Sequence, residues 1–360
     1  MEKGVCYYVE THQYTMPLLP FLHCVAEAQN LSAEEAKQAM AAMLEGAASP
    51  TQISAFLIAL RMKGETVEEL AGFARAMRER MGAPPIIEGE TLLDTCGTGG
   101  DGLSTFNIST VAAFVAAGAG VRVAKHGNRS LANRCGSADL LELLGIPASL
   151  PPGEPFRAIR EVGIGFLFAP DFHPAMKHVQ PVRRELKMRT LFNYLGPLTN
   201  PAGANAQLVG SFSERSAGLI AGALAELGLG RGFVVHGSDG LDEVTTTGPT
   251  TVFSVQDGTV ERQVYLPEDF GVPRAKPSDL QGGEPERNRE IALEVFRGAE
   301  GPARDIVLVN AAMALIAAGA AHDLSEAMHA ARHSLDSGAA RGKVEDLARF
   351  VKHSPNSVSK

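Results

Sequence analysis

Four glycines in the six residues Gly97–Gly102, just after a short run at 91–95 that reads as a strand, constrain this chain more than any other feature. Glycine lets a backbone turn tightly and approach a bound group closely, because no Cβ stands in the way. Asn107, Ser109 and Thr110 follow at the head of an apolar run that reads as a helix over 107–117. Free N–H groups and hydroxyls at a helix N-terminus form a site for an anion such as phosphate. Strand, glycine loop and helix in that order point to an α/β sheet with its ligand beyond the strand ends.

Several readings of the loop compete. Gly97-x-Gly99-x-x-Gly102 satisfies the dinucleotide fingerprint, but that fingerprint also needs an acidic residue at the end of the next strand. The next strand, 121–124, runs instead into Lys125 and His126. A phosphate loop of the G-x-x-x-x-G-K-[ST] type is absent. A loop for a sugar phosphate carrying pyrophosphate fits the cation, since Lys125 can face the pyrophosphate. A mere tight turn leaves the hydroxyl cluster and the lysine unexplained.

Around the loop the pattern changes character. Residues 1–15 have no clear period and read as an extension. From Met16 to Met81 the pattern is helical, giving a unit of about four helices. Ser32 with Glu35 and Thr66 with Glu69 mark helix starts as capping boxes, and Ser49-Pro50 marks a third. Apolar residues are dense at Ile53–Leu60, more than one helix face needs, so this surface must be covered by the chain or by a second subunit. Residues 82–85 read as a linker. Beyond it, helix 131–144, strands 206–212, 232–235 and 251–254, and helix 217–227 alternate. Helices near 286–298, 302–319 and 322–351 close the chain. The expected fold class is α/β: a small, mainly N-terminal α-helical domain at 16–85, plus a larger α/β domain at 90–355 with a mostly parallel central sheet flanked by helices.

Net charge is −8, which argues against a non-specific nucleic-acid binder. The four cysteines, Cys6, Cys24, Cys96 and Cys135, form no C-x-x-C pair and no zinc spacing. No signal-peptide core stands at the start and no apolar stretch reaches membrane-spanning length, so a cytoplasmic protein is expected.

Gly97-Thr-Gly-Gly-Asp-Gly, Asn107-Ile-Ser-Thr, Lys125-His-Gly-Asn-Arg-Ser and Gly136-Ser-Ala-Asp, in that order, closely resemble the anthranilate phosphoribosyltransferases of tryptophan biosynthesis. His173-Pro-Ala-Met through Arg183, then Arg189 to Pro201, and Asp239-Gly-Leu-Asp-Glu243 extend the likeness from about residue 16 to about 350. The resemblance implies transfer of a phosphoribosyl group from phosphoribosyl pyrophosphate to the amine of anthranilate. It implies that residues 173–195 pack back into the helical domain, with the site in the cleft between the two parts. It also implies a homodimer joined through the helical domain.

The resemblance assigns phosphoribosyl pyrophosphate to Gly97, Gly100, Asp101, Thr105, Asn107, Ile108, Ser109, Thr110, Lys125 and Ser137. It assigns anthranilate to Gly97, Asn128 and Arg183. A guanidinium fork matches a carboxylate at two points, and Arg184 next door leaves the register to be decided. Spacing alone makes Asp242 and Glu243 a solvated acidic turn. The resemblance makes them, with Ser109, the holders of two Mg²⁺ per subunit, a role suited to hard oxygen ligands. An aromatic amine is unprotonated at neutral pH, so no indispensable catalytic acid or base is expected. His126 and His173 are candidates only for lining the aromatic pocket.

The sequence departs from the family pattern at Ala132 and Asn133, where small hydroxyl residues are common, and at Lys187, where glycine is common. Two other functions are weighed. A pyrimidine nucleoside phosphorylase-like enzyme would need neither a carboxylate partner nor metals for pyrophosphate. A non-catalytic, nucleic-acid-binding relative conflicts with the charge and with the retained Ser109, Asp242 and Glu243.

Overall fold

The computed structural model describes residues 17–81, 90–99, 103–129 and 135–353. The expected extension and the linker at 82–85 lie outside these residues. Four helices come first: α1 (Leu19–Ala26), α2 (Ala33–Leu44), α3 (Pro50–Lys63) and α4 (Val67–Glu79). Ser32, Ser49 and Thr66 cap α2, α3 and α4, each in a reciprocal box with the residue three positions on. Such caps contribute about 1 kcal/mol apiece by satisfying N–H groups that the helix leaves open. Glu69 does more than cap, since its buried carboxylate also accepts the Leu31 N–H at 2.9 Å and pairs with Lys63 at 3.0 Å.

The α/β part runs β1 (Leu92–Gly97), α5 (Ile108–Gly118), β2 (Arg122–Gly127), α6 (Ser137–Leu143), α7 (Glu154–Glu161) and β3 (Ile164–Phe168). Short helices α8 (Ala169–Phe172), α9 (Gln180–Leu186) and α10 (Phe192–Leu198) follow. Then come β4 (Ala206–Gly210), α11 (Glu214–Glu226), β5 (Arg231–Gly237), β6 (Thr250–Gln256) and β7 (Thr259–Tyr265). The chain ends in α12 (Pro285–Phe296), α13 (Pro302–Ala317), α14 (Leu324–Asp336) and α15 (Ala339–Lys352). Three expectations need correction. Of the helix expected over 131–144, residues 131–134 lie outside the described residues, and the described helix runs from Ser137 to Leu143 with Gly136 extended at its N-cap. The helix expected over 322–351 is two helices, interrupted at Gly338 in a left-handed turn. Strands β3 and β7 add to those read from the sequence.

Among the described residues, seven strands form one sheet in the order β3-β2-β1-β4-β5-β6-β7. The first five in that order are mutually parallel, β6 runs antiparallel to β5, and β7 antiparallel to β6. The chain lays β2 and β3 on one side of β1, then returns to lay β4 on the other. The carboxyl ends of β1 and β4 therefore flank the switch point where open α/β sheets leave a crevice for ligands.

Alternating strand residues face opposite cores, as the two-residue period requires. Leu208, Val235 and Val252 join a cluster with α5, α13, α14 and α15. Val209, Val234 and Val255 join a second cluster with α11, α10 and the four N-terminal helices. Val179, Val182, Leu191 and Phe192 belong to this second cluster, so the 174–198 stretch lies against the helical bundle. Ile53, Phe56, Leu57 and Leu60 are buried there too, at 1% exposure or less. The apolar excess of α3 is therefore largely covered by the chain itself, although Met62 stands 83% exposed. Among the described residues no helix is long and apolar enough to cross a membrane.

Candidate active site

A cleft of about 570 Å³ opens at the carboxyl ends of β1 and β2 and is walled on its far side by 169–199. Its floor is set by one close approach. Gly97 ends β1 and pairs with Gly210 at the end of β4. The chain leaving β5 then crosses over both. A Cβ on Gly210 would lie 1.5 Å from the Asp242 carbonyl oxygen, and one on Gly97 would lie 2.6 Å from Asp242 Oδ2. Only glycine allows that crossing. It brings an acidic pair, distant in sequence, onto the glycine loop. The Gly99 N–H donates to Asp242 Oδ2 at 2.9 Å, and the Ser109 N–H donates to Glu243 Oε1 at 3.1 Å.

Asn107 is the N-cap residue of α5, and Ile108, Ser109 and Thr110 form its first turn. This N-terminus opens into the cleft, so its positive field and the hydroxyls of Ser109 and Thr110 face a bound anion, while the Ser109 N–H is taken up by Glu243. Lys125 is buried at 3% exposure. Its ammonium donates to the Thr95 carbonyl, and it lines the cleft from the end of β2. Burial pushes Lys125 below the ordinary lysine value, and the Asp94 carboxylate beside it opposes that shift. Asp94 is in turn raised by burial, against the pull of Lys125 and of hydrogen bonds from Asn200 Nδ2 at 2.8 Å and the His126 N–H at 3.1 Å.

Across the cleft, Arg183 on α9 is half-buried, whereas Arg184 is exposed. Of the two arginines, Arg183 is the one that lines the cleft. Its guanidinium lies over the Phe192 ring at 5.3 Å and has no acidic partner among the described residues. Burial lowers its pKa from the ordinary value, yet a guanidinium keeps its charge at neutral pH. His126 and His173 lie between these walls with ring centroids 5.4 Å apart. Burial brings them to about 3 and about 4, so both imidazoles are neutral near pH 7. His126 Nδ1 meets the Gly196 carbonyl at 3.2 Å, and the Nε2 atoms of both rings have no partner among the described residues.

Thr105, Asn128 and Ser137 complete the sequence-derived set around the cleft. Gly100, Asp101, Ala132 and Asn133 lie outside the described residues. The sequence reading missed Met77, Lys177, Gln180, Phe192 and Asn193, which also line the cleft. Met77 and Phe192 look like core residues in their own helices, so no local pattern marks them. Lys177 and Gln180 flank the His173–Arg183 segment, which was the available signal.

The comparisons follow that geometry. The glycosyl transferase family helical bundle domain matches residues 19–81, and the family's a/b domain matches residues 89–341. An anthranilate phosphoribosyltransferase of Solibacter usitatus is 64% identical over 338 residues, 93% of this chain and 99% of its own length. The chain belongs to the anthranilate phosphoribosyltransferase family. Another relative, from Moorella thermoacetica, is 54% identical over 91% of this chain and 96% of its own length. The crystal structure of the Thermus thermophilus anthranilate phosphoribosyltransferase matches with TM-score 0.86 at 45% identity, over 92% of this chain and 99% of that chain. The Saccharomyces cerevisiae anthranilate phosphoribosyltransferase in complex with phosphoribosyl pyrophosphate and Mg matches with TM-score 0.84 at 29% identity, over 95% of this chain and 99% of that one. In this chain the helical bundle reaches the cleft through Met77 of α4.

Proposed function

We propose that this chain transfers the phosphoribosyl group of phosphoribosyl pyrophosphate to the amine of anthranilate, releasing pyrophosphate and N-(5-phosphoribosyl)anthranilate. The observation that carries this reading is the opposition across one cleft of an acid-backed phosphate loop and a guanidinium that has no acidic partner among the described residues. One wall meets a polyanion with the field of the α5 N-terminus, the Ser109 and Thr110 hydroxyls and the Lys125 ammonium. The other presents a fork for a carboxylate.

The residues fit a magnesium ion held jointly with substrate. Among the described residues no group of three or more His, Cys, Asp and Glu could enclose a metal. Asp242, Glu243 and the Ser109 hydroxyl supply hard oxygen donors at the cleft floor, and Mg²⁺ commonly combines one or two carboxylates with substrate phosphates and water. Bound there, Mg²⁺ neutralises charge on the departing pyrophosphate; two ions per subunit are part of this reading. The α5 N-terminus, Gly97, Thr105, Lys125 and Ser137 hold the phosphoribosyl pyrophosphate. Gly100 and Asp101, on the same loop, belong to the proposed set. Arg183 takes the anthranilate carboxylate and Asn128 faces the same ring. The neutral His126 and His173 leave the amine lone pair free of a competing cation. Catalysis then rests on holding amine and ribose in line and on stabilising the leaving group. A homodimer through the helical bundle, with exposed Met62 on α3 as its visible support, completes the proposal.

The test is direct. With phosphoribosyl pyrophosphate and Mg²⁺, anthranilate fluorescence falls as the protein is added; no change with any divalent metal refutes the activity. Arg183→Ala raises the KM for anthranilate by roughly 10- to 100-fold, the loss of a charge-assisted pair, and leaves that for phosphoribosyl pyrophosphate nearly unchanged. An equal effect on both substrates rejects the assignment.

A further inference from the structure

The two arms of the phosphate cradle are not joined by neighbouring sequence. One arm is the loop from Thr105 into α5, and the other is the entry into α6 at Cys135–Ser137. A run of side-chain amides links them. The Gly283 N–H donates to Asn288 Oδ1 at 2.8 Å. Asn288 Nδ2 donates to Asn107 Oδ1 at 3.2 Å. Asn107 Nδ2 donates to the Cys135 carbonyl at 3.1 Å.

Asn288 stands in the first turns of α12 and is 2% exposed. Its other surroundings confirm a built contact. The Gly282 N–H donates to the Ser104 carbonyl at 2.7 Å, and Thr105 bridges Gln281. A Cβ on Gly282 would lie 2.6 Å from Asn288 Oδ1 and 2.6 Å from the Phe106 nitrogen. Residues 281–283 are therefore pressed against the loop that leads into α5.

We propose that Asn288 is a positioning residue for phosphoribosyl pyrophosphate, acting through Asn107. The relay has a direction, because each amide gives its N–H toward Cys135 and receives at its oxygen. Turning any one amide sets oxygen against oxygen on one side and N–H against N–H on the other. Asn107 is thereby held in one orientation, and the α5 N-terminus is held at a fixed spacing from Ser137. Asn288 is not among the residues that line the cleft. An aspartate there has the same size but lacks the donor that the Asn107 oxygen needs. A buried acceptor left without a partner is costly enough to shift the equilibrium of the loop.

This inference rests on the function proposed above, and the experiment separates the two. Steady-state kinetics are measured for both substrates with the wild-type protein, Asn288→Asp, Asn288→Ser, Asn107→Ala and the Asn107→Ala/Asn288→Ser double variant. Circular dichroism and thermal melts check folding. The expected result is a KM for phosphoribosyl pyrophosphate raised about tenfold in both Asn288 variants, corresponding to about 1.4 kcal/mol. The KM for anthranilate moves less than twofold. The double variant is no worse than Asn107→Ala alone, because the two residues act through one path. Unchanged kinetics in a folded Asn288 variant, or additive losses in the double variant, overturn the positioning role while leaving the enzyme's function intact. Should Asn288→Asp not fold, Asn288→Ser and the cycle give the same decision. A wild-type protein that transfers no phosphoribosyl group overturns the reading beneath it.

Discussion

Gly210→Ala tests whether the crossing of the β5–β6 connection over the strand ends builds the phosphate floor. The new methyl carbon would start 1.5 Å from the Asp242 carbonyl oxygen, where ordinary contact begins near 3.4 Å. The Asp242 backbone must therefore withdraw by about 2 Å, since neither β4 in mid-sheet nor its partner β1 can give way. Withdrawal breaks the Asp242 bond to Gly99 and drags Glu243 from the Ser109 N–H. Hydrogen bonds to charged groups are worth about 1.5–3 kcal/mol each, so about 3 kcal/mol of site organisation is lost. That corresponds to roughly a hundredfold in kcat/KM. Global stability falls less, by about 1–3 kcal/mol, the usual range for forced overpacking. The assay is anthranilate consumption at a series of Mg²⁺ concentrations, with the half-saturating concentration rising in the variant. Gly342→Ala, in α15 with open space at its Cβ, is the matched control and retains full activity. A folded Gly210→Ala protein with wild-type rate and wild-type Mg²⁺ response would falsify the idea that this crossing organises the site.

Lys187 closes α9 at φ 46° and ψ 35°, a left-handed conformation that disfavours a side chain by about 1–2 kcal/mol. Lys187→Gly relieves it, and after the added freedom of the unfolded glycine is subtracted, the variant is more stable by about 0.5–1 kcal/mol in urea melts; lower stability would show that the lysine side chain compensates. His126 and His173, held at about 3 and about 4 against an ordinary 6.5, bind protons only when the chain unfolds. Their contribution to stability is thus complete above pH 6.5 and is lost as pH falls toward 3, at up to about 1.4 kcal/mol per pH unit for each ring. His126→Gln flattens the decline between pH 6.5 and 4.5 relative to the wild-type protein, and identical slopes would mean the ring is charged in the fold.

Much of the fold could be read from local signals, and the failures have physical reasons. Capping boxes at Ser32 and Thr66 and the Ser49-Pro50 start are short-range chemistry, so they were visible. Strand β7 is an edge strand whose residues from Thr259 to Val264 are all exposed, so it carries no buried face to generate a pattern. The loop and the residues placed around it by the resemblance are each contained in a short motif. What joins them is not. Asn200 reaches Asp94 across 106 positions and Asn288 reaches Asn107 across 181, and an asparagine in a helix or turn looks the same whether or not it has such a partner. Met77 enters the cleft because α4 packs where it does, and side-chain periodicity within α4 marks it only as apolar.

The second core cluster has a consequence for how this chain can be divided. It draws Phe56, Leu60 and Phe73 from the bundle, Val179 and Leu195 from the 174–198 stretch, and Val209, Val234 and Val255 from the underside of the sheet. A cut after residue 81 would therefore divide this shared core and strip one face of the sheet of its cover. The bundle is not an exchangeable module. Transplanted alone it would carry half of an apolar contact, and the remainder would expose the other half and associate through it. Recombination with a relative at this boundary succeeds only when both sides of the buried seam come from the same parent.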